Sequence, residues 1–131
     1  MPGTYVRVGV GGEHYAVPVE HVLEVGAIGR ITPVPGAERP LLGARNLRGE
    51  VLPIIDFGAL IGVASEGPGQ MVVAHADGLR AGLAVEQVVG VGELPDADLP
   101  ADSAQLAGAV LVDGELIGVV DVAAALAGLV T

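Results

Sequence analysis

Apolar and polar residues alternate along most of this chain, and valine carries most of the alternation. A period of two is typical of strands that bury one face. Three pairs of such runs are separated by two-residue turns, at Gly11–Gly12, Asp77–Gly78 and Asp113–Gly114. Glycine supplies the positive φ that a tight hairpin turn needs. The sequence therefore predicts three β-hairpins.

Helix signals are few and short. Residues 56–62 predict a short helix with Asp56 near its N-terminus. Residues 122–130 predict a C-terminal helix, and Asp121 precedes it as a plausible N-cap. Residues 38–45 predict one or two further helical turns.

The chain contains an internal repeat. A shift of 66 residues places "VEHVLEVG" at 19–26 on "VEQVVGVG" at 85–92, with five of eight positions identical. A shift of 65 places "GEVLPIID" on "GELIGVVD", with three identities and four conservative apolar changes. We interpret residues about 5–62 and about 71–128 as two copies of one unit, which consists of a hairpin, a strand, an irregular loop, a strand and a short helix.

The repeat predicts a mainly β architecture in one domain that spans residues 1–131. About 60 residues of short strands with uneven direction usually close as a small five-stranded barrel. Two such SH3-like β-barrels, subdomain 1 at about 5–62 and subdomain 2 at about 71–128, would each be marginal alone. We expect them to pack together with a groove between them, joined by a glycine- and proline-containing linker at 63–70.

The charge and composition of the chain exclude several classes of function. The formal charge is −10, with six arginines and no lysine. Residues 1–62 carry a net charge of −1, and residues 63–131 carry −9. Such a surface opposes binding to nucleic acid and to anionic lipid, so we predict neither partner and no direct membrane insertion. The absence of cysteine excludes a disulfide scaffold, a thiolate metal site and a cysteine nucleophile.

Catalytic and metal-binding patterns are absent from the sequence. The three histidines are scattered, and the two serines form no nucleophile elbow, so we predict no catalytic, metal or cofactor site. Asp56 and Asp121 occupy equivalent positions in the repeat. Two such aspartates could share a proton, as in aspartic proteases, but a helix N-cap role explains both copies without catalysis. We therefore predict that the protein is not an enzyme.

The repeat also isolates two charged residues that only the first copy carries. Gly90 replaces Glu24 and Asp113 replaces Arg48 in the second copy. We hypothesise that Glu24 and Arg48 form an ion pair that orients the guanidinium toward a partner. The alternative is a solvated arginine that contributes almost nothing to stability.

Several segments resemble a known family. "NLRGEVLPIIDFGALIG" at 46–62 is similar to the signature of the CheW-like domain. "YAVPVEHVLEVGAIGRITPVPGA" at 15–37 resembles the segment that precedes it, and residues 81–95 and 106–126 resemble the second half. The resemblance covers nearly the whole chain, and it implies two five-stranded β-barrels.

The resemblance implies a non-catalytic adaptor that couples transmembrane chemoreceptors to a histidine kinase in bacterial chemotaxis. Such a protein is cytoplasmic, needs no cofactor and is recruited to membrane receptor arrays. Its partners are the cytoplasmic tip of the receptor, expected in the groove between the barrels, and the CheW-like regulatory domain of the kinase. The resemblance places partner contacts at Arg48, Gly49, Glu24, Val22 and Asn46. The alternatives are a scaffold paralogue in a non-chemotactic signalling array and small-molecule binding in the groove.

Overall fold

The computed structural model describes residues 2–101 and 103–130, which form ten strands and two short helices. In chain order the strands are β1 (Gly3–Val10), β2 (Glu13–Pro18), β3 (Val22–Ala27), β4 (Leu41–Leu47), β5 (Glu50–Asp56), β6 (Gln70–Ala76), β7 (Leu79–Val85), β8 (Gln87–Leu94), β9 (Leu106–Val112) and β10 (Glu115–Val120). The helices are α1 (Phe57–Ile61) and α2 (Val122–Ala127), with 3-10 turns at Val19–His21 and Gly128–Val130. Both copies of the repeat therefore have the same order of elements, five strands and then a short helix.

The strands form two five-stranded sheets. The first sheet has the order β3-β6-β7-β5-β4, and the second sheet has the order β8-β1-β2-β10-β9. The predicted mainly β architecture with two five-stranded units and a C-terminal helix is confirmed, although the sheets pack together without closing into barrels.

The assignment of one barrel to each repeat copy is wrong. The N-terminal hairpin of each copy lies in the sheet that holds the rest of the other copy. The exchange is made by four strand pairings between the copies: the antiparallel pairings of β1 with β8 and of β3 with β6, and the parallel pairings of β5 with β7 and of β2 with β10. Each sheet therefore combines strands from residues 5–62 and from residues 71–128, and the two copies share one folding unit.

The buried side chains form three clusters. The largest lies between the two sheets and combines residues from both, among them Val8, Tyr15, Val72, Leu83 and Leu126. A smaller cluster lies within each sheet, around Ile54 in the first and Ile117 in the second. The central cluster cannot form from one repeat copy alone, so burial of apolar surface favours the exchanged arrangement.

The three predicted hairpin turns are confirmed, and a fourth two-residue turn, Arg48–Gly49, joins β4 to β5. The predicted helical turns at residues 38–45 are wrong, because this segment enters β4. The backbone N–H and C=O groups of Ala44 bond to Thr32, and the segment also forms the ladder with β5. The backbone polar groups of this segment are therefore satisfied in a strand. None of the helices within the described ranges is long and apolar enough to cross a bilayer.

Residues 63–69, which lie within the predicted linker, contain no helix or strand; backbone hydrogen bonds hold their ends, and a carboxylate binds their middle. Glu86 accepts a hydrogen bond from the backbone N–H of Glu66 at 2.9 Å. This bond, with further ones from the backbone of Gly11 and the side chain of Ser65, lowers the pKa of Glu86. The carboxylate thus ties the linker to the β1–β2 turn.

The N-cap prediction is confirmed for both aspartates. The Oδ1 atom of Asp56 accepts the N–H of Ala59 at 3.2 Å, and the Oδ1 atom of Asp121 accepts the N–H of Ala124 at 3.0 Å. Asp56 differs from its counterpart because it is 3% exposed and also forms an ion pair with Arg39. One side chain therefore caps α1 and anchors the β3–β4 connection.

Asp56→Ala should destabilise the protein more than Asp121→Ala. Loss of a cap alone costs about 1 kcal/mol, whereas Asp56→Ala also removes a charged hydrogen bond at a buried position, for a total of about 2 to 3 kcal/mol. Urea denaturation of the two variants measures the difference. Equal midpoints would show that the Arg39 contact contributes nothing.

Glu86→Gln should lower the melting temperature at pH 7, and the loss should disappear in acid. The pKa of Glu86 is lower in the folded chain than in the unfolded chain, so its charge stabilises the fold above the unfolded value of about 4.3. That contribution is lost as the pH falls through the folded pKa. Glu20→Gln makes the same charge change at an exposed position and serves as the control. A pH-independent effect of Glu86→Gln would contradict this assignment.

Candidate protein-binding site

Arg48 lies at the tip of the β4–β5 hairpin in a left-handed backbone conformation. Its φ is 52°, and Gly49 follows with φ 85°. The equivalent turn position in two other hairpins is aspartate, with φ 52° at Asp77 and 51° at Asp113. Aspartate tolerates this conformation because its short side chain bonds locally, whereas a long side chain such as that of arginine gains no such compensation. Arg48 is therefore placed at this turn against its local backbone preference.

Glu24 and Arg48 form the ion pair that the repeat predicted. Glu24 lies on β3, and its carboxylate accepts from both terminal nitrogens of the guanidinium, with Nη2 to Oε1 at 3.4 Å and Nη1 to Oε2 closer. The hydrogen bond and the charge of Glu24 raise the pKa of Arg48. The Arg48 side chain is 75% exposed. The pair therefore places an exposed cation at the tip of the β4–β5 turn, beside β3.

The other three predicted contact residues have identifiable structural roles. The Oδ1 atom of Asn46 accepts the backbone N–H of Gly49 at 3.0 Å and so stabilises the turn that carries Arg48. Gly49 supplies the second positive φ of that turn. Val22 packs against the central core cluster. The structure therefore brings Glu24, Asn46, Arg48 and Gly49 together and uses Val22 in the fold.

A cavity of about 400 Å³ lies beside the ion pair. Its floor includes Leu52 and Val73, which are buried. Two ion pairs contribute to its lining, Glu24–Arg48 and Glu50–Arg80. All eight lining residues belong to the first sheet or to its Arg48 turn: Leu23, Glu24, Leu47, Arg48, Glu50, Leu52, Val73 and Arg80.

We call the gap between the two edge strands of the first sheet, β3 and β4, the seam. No ladder of backbone hydrogen bonds joins these edges, which lie at opposite ends of the strand order. Glu24–Arg48 crosses the seam at one end. Arg45 crosses it nearby, because its Nη1 atom donates to the carbonyl oxygens of Ala27 and Ile28 at 3.0 and 3.2 Å. Arg45 and Arg48 thus both connect the β4 side of the seam to the β3 side.

Sequence reasoning found the Glu24–Arg48 pair but missed Arg45, Glu50 and Arg80. The repeat contained a signal for Arg45, because a shift of 65 places it on Val110, which is 3% exposed. A charged residue at the position of a core valine was visible without coordinates. The Glu50–Arg80 pair joins different repeat copies, so only the strand exchange reveals it.

Exposed apolar side chains lie on the outer strands of both sheets. Leu23 and Val25 on β3 are 50% and 44% exposed, and Val89 and Val91 on β8 are 47% and 66% exposed. These two strands are equivalent in the repeat, and each pairs with one neighbour only.

Among the described residues, no group of three or more histidine, aspartate or glutamate side chains is placed to hold a metal ion.

The fold and the residues of the Arg48 turn define a CheW-like domain. The family model described as "CheW-like domain" matches residues 4–129. The chain therefore belongs to the CheW-like family.

Curated relatives and a solved structure agree with this assignment. The chain is 34% identical to the chemotaxis protein CheW of Rhizobium meliloti over 93 residues and 36% identical to the protein FrzA of Myxococcus xanthus over 93 residues. Each match covers 69% of this chain, and they cover 60% and 58% of the relatives' own lengths. The crystal structure of the scaffolding protein TtCheW from Thermoanaerobacter tengcongensis matches with a TM-score of 0.84 at 26% identity, over 92% of this chain and 85% of that one.

Arg48→Asn should give a more stable protein than Arg48→Ala. Both substitutions remove the ion pair with Glu24, but asparagine tolerates a left-handed backbone, and the cost for alanine is about 1 kcal/mol. Urea denaturation of the two variants measures the difference. Identical unfolding free energies would show that the turn imposes no strain on residue 48.

Proposed function

We propose that this chain is a non-catalytic, cytoplasmic adaptor that couples transmembrane chemoreceptors to a histidine kinase in bacterial chemotaxis. Its membership of the CheW-like family supports a scaffolding role, as do relatives named chemotaxis protein CheW in several bacteria. Its two partners are the cytoplasmic tip of the receptor and the CheW-like regulatory domain of the kinase. Through them it is recruited to receptor arrays at the membrane.

The observation that carries this proposal is the exposed cation at the β4–β5 turn. Arg48 occupies a strained backbone conformation that aspartate fills elsewhere, and Glu24 holds it in place. Strain of this kind persists where the surrounding structure imposes it, and it is concentrated at functional sites. A fixed guanidinium next to an apolar cavity is suited to contact with a folded protein surface.

The two expected partners require different surfaces. The Arg48 turn, with Asn46, Gly49 and the cavity, presents a compact surface that suits the regulatory domain of a kinase. Receptor tips are helical, and a helix with one apolar face packs on apolar side chains such as those of β3 and β8. We therefore assign the turn to the kinase and the apolar edges to the receptor.

A scaffold in a non-chemotactic array is the second candidate. The observation behind it is that the chain is 36% identical to the protein FrzA, whose name does not mention chemotaxis, and 34% identical to the chemotaxis protein CheW of Rhizobium meliloti, with each match covering 69% of this chain. Both candidates predict protein contacts through the same surfaces. They differ in which receptor and kinase domains bind, so the choice of test domains distinguishes them.

Arg48→Ala and Glu24→Ala should each weaken binding to the kinase regulatory domain by about tenfold, and the double variant should be little weaker than either. The non-additivity follows because Glu24 acts by holding Arg48. Isothermal titration with the purified kinase domain, and in parallel with a receptor tip fragment, measures these affinities.

Arg30→Ala is the matched control, because it removes an exposed arginine from the β3–β4 connection. Its affinity for the kinase domain should equal that of the wild type. If the wild-type protein binds neither the kinase domain nor the receptor tip, the adaptor proposal is wrong. Additive effects of Arg48→Ala and Glu24→Ala would contradict the role of Glu24.

A further inference from the structure

Arg45 lies at a position where the second sheet has a core residue. It pairs across strands with Leu52, which is 5% exposed, so the two side chains lie on the same face of the first sheet. The equivalent pair in the second sheet is Val110 with Ile117, and both are buried. Arg45 is half-buried, so its charge is partly removed from water and requires polar groups to receive it.

The backbone carbonyls at the end of β3 receive that charge. The Arg45 guanidinium donates to the oxygens of Ala27 and Ile28, and its Nη1 atom lies 3.9 Å from the sulfur of Met71. These carbonyls lie at the edge of the first sheet, where no neighbouring strand is paired with β3 on that side. The side chain thus replaces a missing strand as the donor at this end of β3.

Gly29 provides the space for this guanidinium. A Cβ atom on Gly29 would lie 2.9 Å from Cζ of Arg45 and 3.2 Å from its Nε and Nη1 atoms. Gly29 also has φ +67°, a conformation that other residues adopt with strain. The β3–β4 connection therefore leaves room at Gly29 for the Arg45 guanidinium.

Arg45 and Arg48 together attach β4 to β3 at two points. Arg45 lies on β4 and Arg48 three residues later in the turn that follows, and they reach Ala27 and Glu24, which are three residues apart on β3. Three residues of strand span about 10 Å. The ladder with β6 fixes the register of β3, and the two attachments hold the opposite edge of β3 beside β4.

We propose that Arg45 is a positioning residue for the Arg48 site: by fixing the end of β3 across the seam, it sets the place at which Glu24 meets Arg48. Arg45 does not itself touch the partner. The effect of Arg45 on partner binding rests on the proposed function. Its effect on the position of β3 concerns the free protein alone.

The structural part is tested without any partner. Arg45→Met removes the donors and keeps the length and apolar stem of the side chain. Amide hydrogen exchange at β3 should become about tenfold faster in this variant, because two anchoring bonds are lost. The coupling between Glu24→Ala and Arg48→Ala in thermal stability should fall in the Arg45→Met background. Arg45→Lys, which retains a charged donor, should restore part of the protection at β3 and part of the coupling between Glu24 and Arg48.

Gly29→Ala provides a second variant that leaves Arg45 unchanged. It should displace the guanidinium and produce the same loss of protection at β3. Gly36→Ala is its control, because Gly36 has φ +77° in the same connection but its added Cβ would meet nothing within 4 Å. Both glycine variants introduce the same kind of backbone strain, so only the contact with Arg45 distinguishes them.

The binding part is tested by titration with the kinase regulatory domain. Arg45→Met should weaken binding by about fivefold in the wild-type background and have no effect in the Glu24→Ala background, since Arg45 acts through Glu24. A purely structural role would give the same loss in both backgrounds and would overturn the positioning role.

The two proposals fail in different ways. If β3 exchange and the Glu24–Arg48 coupling are unchanged by Arg45→Met, the positioning proposal is wrong whatever the protein binds. If both change as expected while neither Arg45→Met nor Arg48→Ala affects kinase affinity, the positioning of β3 by Arg45 is supported and the proposed binding role of the Arg48 site is wrong.

Discussion

The pairing of strands between the two repeat copies, which includes two parallel pairings, is the interaction on which the rest of the structure depends. β5 pairs with β7, with Ile54 opposite Gly82, and β2 pairs with β10, with Val119 opposite Ala16. Each pairing joins one repeat copy to the hairpin of the other. Because of this exchange the central core lies between two sheets of mixed origin, and neither copy can bury its apolar face alone.

The exchange also determines which strands become edges. β3 and β4 end the first sheet, and their repeat equivalents β8 and β9 end the second. The first pair of edges is joined by the side chains of Glu24, Arg45 and Arg48, whose equivalents in the second sheet are Gly90, Val110 and Asp113. The gap between β3 and β4 is therefore bridged by polar side chains, whereas the repeat places no such side chains between β8 and β9. Two copies of one unit have in this way acquired different surfaces.

Much of the fold followed from local patterns in the sequence. Alternating valines, glycine-containing turns and aspartate N-caps are short-range signals, and the hairpins and helices they predicted are confirmed. The strand exchange could not be predicted, because a repeat shows which segments are equivalent and not which copy each segment pairs with. Residues 38–45 were misassigned for a similar reason, since Ala44 is held as a strand by the distant Thr32.

The candidate site was predicted in part. Comparison of the copies isolated Glu24 and Arg48 because charge is absent or inverted at the equivalent positions, and their ion pair is confirmed. The buried contact of Asp56 with Arg39 and the inward position of Arg45 depend on long-range packing that a single sequence does not encode locally. The unusual backbone of Arg48 was also hidden, since Arg-Gly lacks the aspartate that marks two of the other three turns.

The central claim is that Glu24 serves to hold Arg48 as a contact for the kinase regulatory domain. A charge exchange, Glu24→Arg with Arg48→Glu, tests it most directly, because the exchange restores the ion pair across the seam but inverts the charge at the turn. Stability and kinase affinity are measured on the double variant and on each single variant. Stability should return toward that of the wild type, while affinity should stay as low as in Arg48→Ala. Recovery of affinity together with stability would contradict it, since the pair would then matter only for the fold.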